Sequence, residues 1–411
     1  MQEKLQRFWI YLIAASSFLF FSDSEKGISA VDVIIAVFYN GVLFTWLFWQ
    51  LAVKRKKLID NYADLSIFLF FIFVIFNLII SLLNDVDFLD WLREFTLLSM
   101  ILYYFPIREY FTEKKHILTL LILFLLSTLC IVFMQYYGYY KVTMKGLEYA
   151  WQLIHSIRVN MALFAILISY ATIFLLYQKK LLNKILLISI VILSSGALIS
   201  TFARTFWVAA LILLFVVFLY VPISQKLKMT RYSLILIVVT FLMITLIFKG
   251  NAEIVFSAIS QRFTSSTKGT KDISVRARLD EYKVIYQKIQ QYPLGGSGMG
   301  KEFSFHEPIL KYEKRTDFIH NGYLFFSYRL GIPVLLIFLY SFIYFIIKAE
   351  NYTRLLKDDF YKLLALGSLC SLVLLLISDF STTQFLQRDG VFIIAVSYAF
   401  IGIISRKEKE N

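Results

Sequence analysis

Cysteine, histidine and acidic side chains are scarce in this sequence, and each scarcity closes off a class of chemistry. The 411 residues hold two cysteines, Cys130 and Cys370. Both lie inside apolar runs, so they read as small buried hydrophobes, and no disulfide framework or zinc spacing can be built from them. The four histidines, His116, His155, His306 and His320, show no His/Glu/Asp ligand spacing, which argues against a metal site. Acidic residues number 28 against 42 basic ones, a net charge of +14. In a soluble protein that excess would suggest nucleic acid. Here most of the basic residues form short clusters between apolar runs, the pattern of cytoplasmic connections in a membrane protein, and no nucleic-acid partner is expected. Lys4 and Arg7 precede an apolar run as in a signal peptide, but no small-residue cleavage site follows, so an uncleaved first span is expected. Also missing are a low-complexity linker, a separate soluble domain and any repeat between the halves that would mark an inverted-repeat transporter.

What the chain has in quantity is apolar sequence: 59% of its residues are hydrophobic and the mean hydropathy is +0.69. That exceeds what one water-soluble core can hide, a soluble domain being about 45–50% apolar. The runs are continuous over about 18–25 residues, not short and alternating, which excludes a membrane barrel. The expected fold class is an all-α integral membrane protein with about twelve transmembrane helices. Nine are expected within residues 1–248: Phe8–Phe21, Ser29–Val53, Asp64–Leu83, Trp91–Ile107, His116–Tyr137, Arg158–Tyr177, Ile185–Ser200, Thr205–Pro222 and Tyr232–Phe248. Residues 249–321 form a long loop. Three more spans, Gly322–Ile347, Leu363–Phe380 and Gly390–Ile404, fill residues 322–404, before a tail of 405–411. Lys54-Arg55-Lys56-Lys57, Lys179/Lys180/Lys184 and Arg406/Lys407/Lys409 fall on one side, with other short basic clusters. That side is taken as cytoplasmic, so both termini are inside and the long loop is outside.

The loop is the one long polar segment. Val275, Leu279, Tyr282, Ile285/Tyr286, Ile289 and Tyr292 recur at helical spacing, and Pro293 ends the pattern. Arg276 and Arg278 flank this stripe. They suit either a surface helix on lipid head groups or contact with a phosphate, for which a planar fork of donors is apt. In Gly295-Gly296-Ser297-Gly298-Met299-Gly300, glycine permits a tight turn or close approach of backbone amides to a ligand. A nucleotide site is a weak reading, because no βαβ unit surrounds the run. His320 precedes the tenth span, and its side-chain type suits a general base acting on a hydroxyl; the bland alternative is a hydrogen-bonding spacer. Arg158, Arg204 and Arg388 stand at ends of apolar runs on the same side, with Arg93 and Arg329 inside apolar sequence nearby. A charge at membrane depth costs at least about 2.5 kcal/mol, so each implies a partner, a wet cavity or snorkelling, and Glu94 or Asp90 are candidate partners for Arg93.

In order and spacing, Arg278-Leu279-Asp280-Glu281-Tyr282, Pro293-Leu294-Gly295-Gly296-Ser297-Gly298, His320-Asn321-Gly322-Tyr323-Leu324 and Gly331 resemble the O-antigen ligase and O-antigen polymerase family of membrane glycosyltransferases. Ser200-Thr201-Phe202-Ala203-Arg204 is a weaker match, and Arg158-Val159-Asn160 is weaker still. Tyr282 stands where the family often has tryptophan, and Arg276 competes with Arg278 for the loop arginine, with spacing favouring Arg278. Tyr328-Arg329 replaces an acidic residue common in ligases, which tilts the reading toward a polymerase.

The resemblance implies a GT-C-like, metal-independent glycosyl transfer without cofactor on the outer face of the bacterial cytoplasmic membrane. The implied donor is a glycan on undecaprenyl diphosphate and the acceptor a glycan or lipid. Membrane lipid and a chain-length regulator or flippase are further partners. It implies catalytic roles for His320, Arg204 and Arg278 or Arg276. Asn321, Tyr323, Arg158, Arg388, Gly296 and Gly298 would bind substrate, with Asn321 on the imidazole or a sugar hydroxyl. A lipid-glycan flippase is the rival from another class, and the clustering of unusual residues at one face counts against it.

Overall fold

The computed structural model describes residues 2–16, 30–144, 161–247, 252–266, 273–307 and 312–410. The chain is mostly helical. The first part comprises α1 (Gln2–Ser16), α2 (Ala30–Phe48), α3 (Tyr62–Leu83), α4 (Phe88–Ser99), α5 (Tyr104–Tyr110), α6 (Lys114–Met144), α7 (Met161–Tyr177), α8 (Leu181–Ser200), α9 (Arg204–Tyr220) and α10 (Ile223–Ile247). Two helices of the polar loop follow, α11 (Ala252–Ser266) and α12 (Ile273–Gln291). A hairpin of β1 (Phe303–Glu307) and β2 (Tyr312–Thr316) comes next. The chain ends with α13 (Gly322–Leu330), α14 (Ile332–Leu355), α15 (Asp359–Ser378) and α16 (Arg388–Glu410).

Among the described residues, seven helices are long and apolar enough to cross a membrane, and α7 and α9 are shorter apolar helices. This supports an all-α integral membrane protein. Among the described residues the antiparallel hairpin, with Phe305 opposite Lys314, departs from the all-helical expectation. It was hidden by its length, since Phe303 and Phe305 give only one step of alternation toward the buried side.

The core lies around α15 and α16, which are mostly buried; α7, α9 and α14 pack on α15, and α5 packs on α16. Phe385, in a short helical turn between α15 and α16, is fully buried among the rings of Tyr323, Phe326, Phe338 and Phe342 at 5.0–5.8 Å. Edge-to-face packing of this kind fixes the turn as well as burying it.

Two expected spans are broken. Trp91–Ile107 is α4, a 3-10 turn over Met100–Tyr103, and α5. Gly322–Ile347 divides at Gly331, whose φ of 88° lies in the left-handed region, before Pro333 starts the next helix.

α3 joins the two ends of the bundle. At its start Asp64 is buried, accepting from Arg108 Nη1 at 2.7 Å and from the Tyr104 hydroxyl at 2.6 Å. Nearby, Arg406 pairs with Asp60 at 2.8 Å and with Glu109 at 3.1 Å, and Lys56 also pairs with Glu109. Connections that the charge pattern assigned to one face thus meet. The other end of α3, at Asn84, reaches the polar loop.

Candidate active site

α12 forms because its stripe recurs at helical spacing, but the face it buries is rotated from the one that apolar residues alone suggest. Ile285 and Ile289 are buried, whereas Leu279, Tyr286 and Tyr292 are exposed. Glu281, one turn before Ile285, is buried with them. A carboxylate on a buried face needs partners, and His320 supplies them. Glu281 Oε1 accepts from the His320 backbone N–H at 2.6 Å, and Oε2 lies 2.8 Å from Nδ1 of its ring. Tyr282, the next residue of α12, donates its hydroxyl to the His320 carbonyl at 2.7 Å. Burial pushes the Tyr282 hydroxyl up to about 12, against the lowering effect of the nearby Arg278 charge, so it stays a donor at neutral pH. The imidazole stands edge-on to Phe318 at 4.9 Å between ring centres. Its side chain is 37% exposed while Glu281 is 2% exposed. One edge of the ring is therefore anchored on a buried acid while the side chain as a whole stays open.

The turn after α15 lies against this loop. Gly322 N–H donates to the carbonyls of Asp379 at 2.8 Å and Thr382 at 3.0 Å. Asn321 caps α13, its Oδ1 accepting from the Leu324 N–H at 2.9 Å, while its Nδ2 donates to the Phe380 carbonyl at 3.3 Å. The imidazole is thus held by Glu281, not by Asn321. The Tyr282 hydroxyl also reaches the Phe380 carbonyl at 3.3 Å. Tyr323 donates to the Leu376 carbonyl at 2.8 Å, with its ring 4.8 Å from that of Phe380.

From the other side Ser381 donates to the Thr205 hydroxyl at 2.9 Å, which brings the start of α9, and so half-buried Arg204, to the same turn. Arg204 follows Phe202, whose φ of 53° is left-handed. Such a conformation costs a non-glycine residue roughly 1–2 kcal/mol, and Phe202 is held in it while buried beside Val255 and Ala258 of α11. Arg278 is half-buried on α12 within electrostatic reach of Tyr282, and Arg276 is exposed. Arg388 opens α16, and Arg158 lies outside the described residues. Asn321, Tyr323 and, through Tyr282, His320 therefore gather around Phe380, and the start of α9 meets the next residue, Ser381; the sequence singled out neither of these two turn residues.

The glycine run is a buried latch beside the site. Gly296, with φ 72°, lies against the Arg329 carbonyl. A Cβ on Gly298, with φ 94°, would come within 2.7 Å of the Ser81 Cα. The amides of Ser297, Gly298 and Met299 donate to Tyr328 O, Arg329 O and Asn77 Oδ1 at 2.7, 3.1 and 2.8 Å. Asn77 and Ser81 of α3, with Asn84 at its C-cap, also bond to the carbonyls of Arg329, Met299 and Ser297 at 3.0–3.1 Å. The tight-turn reading accounts for every one of these contacts.

The two arginines that stand inside apolar sequence at this end, exposed Arg93 and buried Arg329, are both paired. Arg93 meets Asp317, not Glu94 or Asp90, and Glu94 pairs with fully buried Arg329 at 3.3 Å. No group of three His, Cys, Asp or Glu side chains able to hold a metal ion occurs among the described residues. Sequence reasoning missed Glu281, although it lies inside the quoted motif. Its place one turn ahead of Ile285 and Ile289 was the available signal.

No curated protein matches the chain. A family model described as O-Antigen ligase matches residues 189–339, which run from within α8 through the loop and His320 into α14. That match supports the resemblance to the O-antigen ligase and polymerase family for this part of the chain.

Proposed function

We propose that the protein is a polysaccharide polymerase at the outer face of the bacterial cytoplasmic membrane, moving a glycan from undecaprenyl diphosphate to a sugar hydroxyl. The observation that carries this reading is the anchored but open imidazole of His320, set among Tyr282, Arg278 and the turn that touches the start of α9. In the proposed step an acceptor hydroxyl attacks the anomeric carbon of the donor and a new C–O bond forms. The bond from that carbon to the diphosphate oxygen breaks, the hydroxyl proton passes to His320, and the diphosphate leaves with the electron pair. Arg204 and Arg278, with Arg276 as the alternative, stabilise the charge developing on that leaving group, a contribution of about 3–4 kcal/mol per well-aimed donor. Arginine supplies it as a permanent cation, so this scheme needs no metal. Asn321 serves by shaping the His320 loop, and Arg388 stands at the start of the neighbouring helix.

The ligase reading rests on the description of the matching family model. It shares the donor and the chemistry and differs in the acceptor. Tyr328-Arg329, where ligases often carry an acid, favours the polymerase. The test is His320→Ala in the producing cell, with lipid-linked and surface glycans sized on gels. The polymerase reading expects single repeat units to accumulate and long chains to vanish. Long chains held on the carrier lipid would assign a ligase instead, and wild-type glycans would remove His320 from the reaction.

A further inference from the structure

We infer that Glu281 is a positioning residue that sets the tautomer of His320 and so makes its Nε2 the atom that accepts the acceptor hydroxyl's proton. The inference rests on His320 being the base in the proposed transfer. Three contacts from adjacent residues of α12 hold this one loop residue: Glu281 to its backbone N–H, Glu281 to its ring Nδ1, and Tyr282 to its carbonyl. An ionised carboxylate can only accept hydrogen bonds. Its contact at 2.8 Å therefore assigns the proton of the neutral ring to Nδ1, and leaves the lone pair on Nε2. When the ring takes the second proton, the same carboxylate faces the new positive charge from a site that is almost fully buried, where solvent screens it little. The backbone contact adds precision, because the acid that orients the ring also fixes the main chain that carries it. A base held in this way has little rotamer freedom left to lose in the transition state.

Glu281→Gln separates this role from simple packing. The amide has the same shape, and its oxygen can still accept from the His320 N–H. Its NH2 then faces Nδ1, which must present a lone pair, so the ring proton moves to Nε2 and the base is blocked. In the serine-protease triad the equivalent acid-to-amide change costs about 10⁴ in turnover with the geometry intact.

The measurement uses the full-length protein in nanodiscs, with the lipid-linked glycan pool extracted from a strain deleted for the gene as both donor and acceptor. Glu281→Gln should lower turnover by about 10²–10⁴ while KM changes less than about threefold. Glu281→Asp, which keeps an acceptor-only group, should recover part of the loss. If Glu281 acts only through His320, the double variant Glu281→Gln/His320→Ala should be no slower than His320→Ala alone. Turnover near wild type in Glu281→Gln, or losses that multiply in the double variant, would overturn the positioning role while leaving the base role of His320 intact. Full activity in His320→Ala would instead bring down the reading on which the inference rests.

Discussion

Arg329 tests whether the charged residues at this end of the bundle are structural or bind substrate. It is fully buried, 3.3 Å from Glu94, which is itself 2% exposed. Its Nη2 also donates to the Asp317 carbonyl at 2.7 Å, and its guanidinium lies 5.1 Å from the ring of Phe325. Replacing it by methionine keeps much of the volume but strands a buried carboxylate. Breaking one partner of a buried pair costs about 3–5 kcal/mol. With an unfolding entropy of about 2.1 cal/mol/K per residue, a chain of 411 residues gives about 0.9 kcal/mol/K, so the thermal midpoint should drop by about 4–6 °C. Replacing Glu94 by methionine as well removes the stranded charge, and the double variant should return to within about 1 °C of wild type, since apolar replacement of a whole buried pair is often neutral. Thermal unfolding in nanodiscs reads both numbers, and glycan length in cells should follow the same order. A single variant as stable as wild type, or a double variant no better than the single, would refute the structural assignment. A stable double variant without activity would point to Arg329 as a substrate ligand.

Two further outcomes are expected. Gly298→Ala meets a left-handed φ of 94° and the Ser81 backbone at 2.7 Å, so it should cost at least about 1–2 kcal/mol and displace the turn from α3. A lowered thermal midpoint checks this, and an unchanged one would refute it. At the opposite end, burial would by itself raise the carboxyls of Glu109 and Asp60, but Lys56 and Arg406 on the former, and Arg406 and Arg108 on the latter, hold both below their ordinary values. The unfolded chain then binds their protons first as pH falls. The stabilisation is full above about pH 5 and is lost below it, as pH falls through the folded-state values. Midpoints measured from pH 7 to 3 should show the loss, and Arg406→Gln should flatten it; an equal slope in that variant would refute the assignment.

The legible features were those that depend on local spacing. Apolar runs gave the class, and the stripe from Val275 to Tyr292 gave α12. The break at Gly331 was written in Gly331-Ile332-Pro333, a pattern overlooked because the flanking sequence is apolar throughout. Asn77, Ser81 and Asn84 recur at intervals of four and three along an apolar span, which puts them on one helix face. The polar atoms of that stripe require partners in a membrane, so a contact with some turn was foreseeable, though not which turn. Glu281 and His320 lie 39 residues apart, and no local rule pairs them. The contact of Ser381 with Thr205 spans 176 residues and depends on how α9 packs against α15. Hydropathy can report that α9 and α15 are apolar, but not which helix ends they bring together.

These non-local contacts explain why a loop of modest hydropathy can hold chemistry. A loop free to move would hold His320 in many orientations, and misplacement by about 1 Å can cost about 10² in rate. Here the groups that hold the histidine are themselves anchored. Glu281 lies in line with buried Ile285 and Ile289, and Tyr282, on the same helix, donates to the His320 carbonyl and reaches that of Phe380. Phe380 O, which Asn321 and Tyr282 both reach, follows a fully buried α15 terminus at Ser378 and Asp379. The end of α12 is tied down as well: Pro293 O accepts from Ile332 N–H at 2.9 Å, and the glycine turn that follows is bonded to α3. The precision of the site therefore comes from the apolar helices, transmitted through backbone carbonyls and buried side chains. On the proposed function, variation in Arg276, Arg278 or Arg204 would then change what is bound without disturbing where the imidazole stands.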